Sequence, residues 1–439
     1  MDLKNKTVTI LGGQRTGMAL ARLAAHLGGK AKISEKGGEN TLPEDFREWA
    51  KQRKVACEFQ GHTRAFIEES DVVVLSPGVP HNSEAVSWAR KKNILVLGEI
   101  EFAFQFCEKP VIAVTGSNGK TTVVTLIHQV LEASGRRSCL CGNIGAPFSG
   151  QVLDLDDKDF VVLEISSFQL ETVVEPADRL PSGGIPGIRG FKPHVAVILN
   201  VNENHLDRHK DLQEYFDAKK RIFLNQDARD YAVVNAQDQG LKDLAPQLKA
   251  QVRFFNAAPL SLPGITPNPN FAVAREVANI LGIKDDVCAK VFRDFKGVEH
   301  RLELVRQVDG VNFINDSKAT TAQAAIWALE RLNAPVIMIC GGRDKNIDFS
   351  VVAPFVRQKV KKMIAIGEAR AKLKKTFESV VALEEYATLP DAVSRAREIA
   401  QRGDSVLLSP MCTSFDMFAN YEERGRCFKE LVHNLPAHA

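Results

Sequence analysis

The decapeptide Val114-Thr115-Gly116-Ser117-Asn118-Gly119-Lys120-Thr121-Thr122-Val123 gathers the residue types that hold a phosphate chain. It follows the apolar run Pro110-Val111-Ile112-Ala113-Val114 and precedes a helix predicted over 123–133. Glycines let backbone N–H groups close around an anion, and the positive end of the following helix faces it. The Lys120 ammonium reaches a terminal phosphate, and the Thr121 hydroxyl offers an oxygen to Mg²⁺. Only two residues separate Gly116 from Gly119, fewer than in the usual G-x-x-x-x-G-K-[ST] loop. The strand before and the helix after therefore carry the reading. It assigns Gly116, Ser117, Asn118, Gly119, Lys120, Thr121 and Thr122 to a nucleotide.

Other strand ends carry polar residues. Glu164 closes the run Phe160-Val161-Val162-Leu163 and leads into Ile165-Ser166-Ser167-Phe168-Gln169-Leu170-Glu171. Beside a phosphate loop such a carboxylate completes the shell of Mg²⁺; without the loop it is a solvated strand-end acid. Asn200-Val201-Asn202-Glu203-Asn204-His205-Leu206-Asp207-Arg208 follows a strand at 195–200 and offers His205 and Asp207 to a metal or a phosphate. A helix predicted over 212–224 places Tyr215 and Lys219 one turn apart on one face, although most lysines there are expected to be surface charges. Asn315-Asp316-Ser317-Lys318-Ala319-Thr320, Cys340-Gly341-Gly342-Arg343-Asp344-Lys345 and the loop from Ser409 to Asp416 each follow a strand. Their small, hydroxyl and basic residues describe an anion-binding edge.

The elements that must position these residues alternate strand and helix. With 439 residues the chain exceeds one ordinary core, and two or three domains are expected. Strands are predicted at 7–11, 31–34, 71–75, 94–97, 110–114, 160–164, 195–200, 311–314, 336–340, 363–366 and 405–408. Helices between them give βαβ alternation and doubly wound, mostly parallel sheets. The turn Gly12-Gly13-Gln14-Arg15-Thr16-Gly17 is close to a dinucleotide fingerprint, with Gln14 at the middle glycine; taken alone it is either a ligand site or a tight turn. The Gly- and Pro-rich stretch 176–193 reads as an exposed loop.

Composition excludes other classes. A net charge of +3 argues against a nucleic-acid stripe or a membrane surface, and no run of 18 apolar residues exists. The first residues lead straight into a strand without the apolar core of a signal peptide. Eight scattered cysteines, with Cys139-Leu140-Cys141 the only close pair, form no zinc pattern. They are expected to be buried thiols in a reducing cytoplasm.

Read together, these motifs resemble the bacterial Mur ligase family, over about residues 5–430. The phosphate loop, Glu164 before Ser166-Ser167-Phe168-Gln169-Leu170, and Asn204-His205-Leu206-Asp207-Arg208 match the whole family. The loops at 315–320 and 408–418 match the members that add D-glutamate, rather than those adding alanine, a diamino acid or a dipeptide, or folylpolyglutamate synthetase. The resemblance implies three α/β domains: a Rossmann-like N-terminal domain for a UDP-sugar (1–108), a central P-loop ATPase domain (109–299) and a Rossmann-like C-terminal domain for the amino acid (300–439). Hinges are expected near 107–109 and 298–301.

The resemblance also implies roles. ATP phosphates lie on residues 116–122, with Asn270, Arg301 and Asp316 around the nucleotide. Two Mg²⁺ ions are implied, one held by Thr121 and Glu164 and the other by His205 with a carbamylated Lys219. Lys120, His205 and Lys219 are the implied catalytic residues. Arg15, Thr16, Ser34, Glu35 and Asn143 match the region receiving UDP-N-acetylmuramoyl-L-alanine, and Lys318, Thr320, Lys345, Ser414 and Tyr421 surround D-glutamate. The implied protein is a monomer joining these two small molecules by ATP-dependent amide formation in cytoplasmic peptidoglycan precursor synthesis. The chain departs from the family where Thr266 and Pro267 replace the His and first Asn of a G-x-H-N-x-x-N run, of which Asn270 fits the last position. A homologue that binds nucleotide without turnover stays open for that reason, as does another ligase of the family.

Overall fold

The computed structural model describes residues 1–174, 188–201, 210–256, 262, 265–266, 268–333, 335–344 and 347–436. The chain forms two compact units, Met1–Phe295 and Lys296–Ala439.

The first unit holds two parallel sheets. One contains β1 (Thr7–Leu11), β2 (Lys30–Ser34), β3 (Ala56–Glu58), β4 (Val72–Leu75) and β5 (Leu95–Gly98), in the order β3-β2-β1-β4-β5. The other contains β6 (Val111–Thr115), β7 (Ser138–Gly142), β8 (Phe160–Glu164), β9 (Val195–Ile198), β10 (Tyr231–Asn235) and β11 (Gln251–Phe255), in the order β11-β10-β9-β6-β8-β7. Its strands are also all parallel. Strands such as Val72-Val73-Val74-Leu75 and Val111-Ile112-Ala113-Val114 are buried along their length, as the central strands of a sheet covered on both faces must be. The chain leaves β6 toward β7 and returns to β8, so the carboxyl end of β6 is a topological switch point, where such sheets bind ligands.

The helix Glu99–Phe104 follows β5, and all six of its residues are buried. Its carboxylates accept main-chain hydrogen bonds: Glu99 from Ser149 N (2.8 Å), Glu101 from Phe191 N (2.7 Å) and Val174 N (3.2 Å). Burial pushes the Glu101 carboxyl up to about 8. Residues 175–187 lie outside the described residues, but the stretch expected to be exposed ends buried, with Ile188 and Phe191 in the core. Glu101 and Asn225 fasten both Val174 and Phe191, and Gln105 binds the Arg189 main chain, so this end packs as part of the unit.

The second unit contains β12 (Glu303–Val308), β13 (Val311–Asn315), β14 (Val336–Gly341), β15 (Val360–Ile366), β16 (Leu383–Glu385) and β17 (Ser405–Leu408), in the order β12-β13-β17-β14-β15-β16. Only β12 and β13 pair antiparallel, so this sheet is mixed. Since β17 enters between β13 and β14, the loops after these three strands lie side by side. The α/β class with parallel sheets is as expected. All eight cysteines are free; Cys57 and Cys427 are only half-buried, against the expectation of uniform burial. Among the described residues no helix is long and apolar enough to cross a membrane.

Candidate active site

The phosphate loop forms because two glycines take backbone conformations that a side chain resists. Gly116 has φ +153° and Gly119 φ +86°. A Cβ on Gly116 would come within 2.9 Å of Leu199 Cβ, and one on Gly119 within 2.8 Å of Asn270 Oδ1. The helix starts at Lys120 rather than at the expected Val123, with Gly119 as its cap. Lys120 and Thr121 therefore occupy the first turn, whose amides lack intrahelical acceptors. Asn200, at the end of the β9 segment, pins the loop: its Oδ1 accepts from Asn118 N (2.9 Å), its Nδ2 donates to Asn118 O (3.2 Å), and its carbonyl accepts from Ser117 N (3.0 Å). The Lys120 ammonium folds back onto Gly116 O (2.8 Å) and Ser117 O (3.2 Å).

Glu164 lies one strand away, paired in register with Val114. Its Oε1 accepts from Asn143 Nδ2 (2.9 Å), and its Oε2 is buried with no hydrogen-bond partner among the described residues. A buried, unpaired carboxylate oxygen carries the full desolvation penalty of a charged acceptor. A cation at Oε2 removes that penalty, so this carboxylate fits Mg²⁺.

Lys219 is the second unusual charge. The helix Leu212–Lys220, capped by Asp211, buries Tyr215 and Lys219 on the same face. Only 1% of Lys219 is exposed. Its Nζ donates to Gly116 O (3.1 Å) and Thr115 Oγ1 (3.3 Å) and lies 4.4 Å from the centre of the Tyr215 ring. Burying an ammonium costs several kcal/mol, and two neutral acceptors with one ring do not recover that. Burial first, and the Lys120 charge second, hold the Lys219 amine well below the usual lysine range. Lys220, by contrast, pairs with Asp217 near the surface.

Asn270 is brought to the loop through Gly119, and Asn268 is committed elsewhere, capping the helix Pro269–Ile280 by accepting from Asn270 N. Thr266 is exposed. His205, with Asn204 and Asp207, and likewise Pro267 and Lys345, lie outside the described residues.

The residues expected to receive the UDP-sugar split into two groups. Arg15, beside Thr16 at the start of the helix Arg15–His26, donates through Nη2 to Gly145 O, on the same loop as Asn143. Glu35, after β2, accepts from Gly13 N (2.6 Å) and Gly37 N (2.8 Å), holding the glycine turn. Ser34 is fully buried, and its hydroxyl is shared by Glu58 and His62.

In the second unit, Asp316 accepts from Leu302 N (3.2 Å) and Ser409 Oγ (3.1 Å), and burial pushes its carboxyl up to about 7. Lys318 stands 5.7 Å from the Tyr421 ring centre, Thr320 follows on the same loop, and Ser414 is buried where its carbonyl accepts from Phe418 N. Sequence reasoning missed what joins these loops. Arg424 is fully buried and donates from Nε to Ser317 Oγ (3.0 Å), from Nη2 to Ser317 O (2.9 Å), and from Nη1 and Nη2 to Cys412 O (3.2 Å each). No carboxylate ion-pairs with it among the described residues, and burial pushes its guanidinium down to about 10. Arg424→Met should loosen both loops and lower unfolding stability by about 3 kcal/mol, read as a shift in the denaturant midpoint. An unchanged midpoint would show that the clamp is not structural.

Comparison with known proteins gives the family. The Mur ligase middle domain matches residues 114–259, and the Mur ligase glutamate ligase domain matches residues 300–412. The UDP-N-acetylmuramoylalanine–D-glutamate ligase of Thermoanaerobacter pseudethanolicus is 37% identical, covering 99% of this chain and 100% of the relative. That of Pelodictyon phaeoclathratiforme is 38% identical, covering 99% of each. Among solved structures, the UDP-N-acetylmuramate–alanine ligase of Thermotoga maritima superposes with TM-score 0.55 at 16% identity, over 98% of this chain and 99% of that one. The MurF ligase of Thermotoga maritima in complex with ADP gives 0.54 at 17% identity, over 92% and 95%. The two structures share the fold, and the full-length relatives carry the kinship: the chain belongs to the Mur ligase family of ATP-dependent ligases.

Proposed function

We propose that the chain joins D-glutamate to UDP-N-acetylmuramoyl-L-alanine at the expense of ATP, as a cytoplasmic, monomeric step of peptidoglycan precursor synthesis. The full-length relatives bearing that activity in their names support the substrates. The observation that carries the chemistry is the grouping of Lys120, Glu164 Oε2 and a buried Lys219 at one phosphate loop. We keep the domain division 1–108, 109–299 and 300–439, one domain for each sheet.

The reaction forms an acyl phosphate on the substrate carboxylate, which the D-glutamate amine attacks, and phosphate leaves as the amide forms. A triphosphate and a carboxylate repel each other, so cationic screening is the first requirement. Lys120, on the first turn of its helix, neutralises charge on the transferred phosphoryl group. Thr121 and Glu164 hold one Mg²⁺, and His205 with Lys219 a second; when bound, these ions screen the triphosphate from the carboxylate. Lys219 fits as a carbamate rather than an ammonium. Its neutral amine attacks CO₂, an N–C bond forms and one proton departs, leaving an anionic oxygen ligand. Asn270, Arg301 and Asp316 contact the nucleotide, with Ser117, Asn118 and Gly119 around its phosphates. Arg15, Thr16, Ser34, Glu35 and Asn143 define the UDP-sugar side. For Glu35, already bonded to Gly13 N, and for Ser34, whose carbonyl accepts from Gly12 N (2.9 Å), that role is to shape the glycine turn. Lys318, Thr320, Lys345, Ser414 and Tyr421 hold D-glutamate so that its amine meets the acyl carbon.

An isotope experiment tests the acyl phosphate. With ¹⁸O in the carboxylate of UDP-N-acetylmuramoyl-L-alanine, one labelled oxygen should appear in each released phosphate. Unlabelled phosphate would place the phosphoryl transfer on water and sink the mechanism.

A further inference from the structure

Arg301 sits at the middle of an unusual backbone elbow. Its neighbours His300 (φ +63°) and Leu302 (φ +43°) are both non-glycine residues in the left-handed region. Such conformations persist only where the surroundings over-determine them, and they collect at ligand sites. Among the described residues the Arg301 guanidinium makes no hydrogen bond or ion pair, so its aim depends on the main chain that carries it.

Every residue of the elbow is held by something outside it. The Arg301 amide donates to Val298 O (3.1 Å), and the Leu302 amide to Asp316 Oδ1 (3.2 Å). The His300 carbonyl accepts from Lys318 N (3.1 Å). The buried His300 ring has Nδ1 2.9 Å from Asn315 Nδ2, and a Cβ on Gly425 would lie 2.2 Å from the same nitrogen, so the helix Tyr421–His433 presses on the ring. The His300 amide is left to one group, Glu303. Its Oε2 accepts from His300 N (2.9 Å) and Asn315 Nδ2 (3.1 Å), while its Oε1 accepts the Lys429 ammonium (2.7 Å). Lys429 also reaches Glu299 Oε1 (2.9 Å), tying both ends of the elbow to one cation. Glu299, His300 and Glu303 stand close enough to chelate a metal. The Lys429 ammonium already bridges both carboxylates, so a cation site is not the reading.

We propose that Glu303 is a positioning residue for nucleotide binding: its carboxylate, steadied by Lys429, fixes the His300 amide and so aims Arg301 at the nucleotide. The proposal rests on the assignment of Arg301 to the nucleotide. The side chain touches neither nucleotide nor substrate; it acts through the left-handed turn. Removing it leaves the His300 amide buried without an acceptor and lets the elbow relax to commoner dihedrals.

ADP binding to the full-length chain, by calorimetry, together with steady-state kinetics, separates the possibilities. Glu303→Ala should weaken ADP about tenfold, with a rise in KM for ATP that exceeds any fall in kcat and no change in KM for D-glutamate. Glu303→Gln, which keeps an acceptor for the His300 amide but loses the ion pair, should fall between, and serves if the alanine variant does not fold. In Arg301→Ala/Glu303→Ala the second change should add nothing to the first, because both act through one guanidinium. Unaltered ADP affinity in both Glu303 variants, or losses that add in the double variant, would overturn the proposal. Normal ADP affinity in Arg301→Ala alone would instead overturn the nucleotide assignment on which it rests.

Discussion

If Lys219 carries the proposed carbamate, Lys219→Ala should reduce phosphate release on the order of a thousandfold or more, because it removes the anionic oxygen assigned to the second ion. Truncation leaves space beside Gly116 O and the Tyr215 ring, where the amine now sits. A small carboxylate such as acetate fits the gap chemically, since it restores an anionic oxygen, and part of the activity should return with added acetate. Lys219→Arg should not be rescued, since the guanidinium stays cationic at every working pH. Lys220→Ala should stay within about twofold of the parent, as expected for an exposed i,i+3 pair with Asp217. Full activity in Lys219→Ala together with loss in Lys220→Ala would move the carbamate to the other lysine.

Glu164→Gln should separate function from stability. Among the described residues the wild-type carboxylate keeps Oε2 buried and unpaired, an arrangement that costs stability in the absence of a cation. The amide removes the charge at nearly constant shape and retains an acceptor for Asn143 Nδ2. Turnover should fall at least a hundredfold at ordinary Mg²⁺, while the metal-free melting temperature stays level or rises. A phosphate-release titration against Mg²⁺, paired with a melt in chelator, reads both. A variant with normal turnover would remove Glu164 from the metal site.

The parts of this fold legible in sequence are those where one physical force acts alone. β1, β4, β6, β8, β9 and β17 are apolar runs buried on both faces, and each ends near where its hydropathy ends. Edge strands were mostly not legible, with the apolar β5 the exception. β11 and β12 are half-exposed, and Gln251-Val252-Arg253 or Glu303-Leu304-Val305-Arg306 carry too many charges to read as strand. β7 was hidden in Ser138-Cys139-Leu140-Cys141-Gly142, yet its end places Asn143 against Glu164.

The site divides the same way. The strand before the glycines and the helix after the Lys-Thr pair exposed the phosphate loop, and the family resemblance pointed to Lys219, which lies one turn from Tyr215 and is buried with it. Arg424 had no such signal: it follows Glu422 and Glu423 on a helix and reads as solvated, although the fold turns it inward with no acid for partner among the described residues. Asn200 was visible only as part of a polar burst, because its task is to bond a loop 82 residues away in sequence. Glu303 likewise acts on a neighbour's main chain, which no residue pattern records.

The central claim is the identity of the amino acid joined. Phosphate release and product mass, measured with ATP, Mg²⁺ and UDP-N-acetylmuramoyl-L-alanine, should be followed across D-glutamate, L-glutamate, L-alanine and a diamino acid. Release is expected with D-glutamate alone, one phosphate for each amide formed. Release with a different amino acid would make the chain another ligase of its family, and no release with any of them, while ADP still binds, would contradict the claim outright.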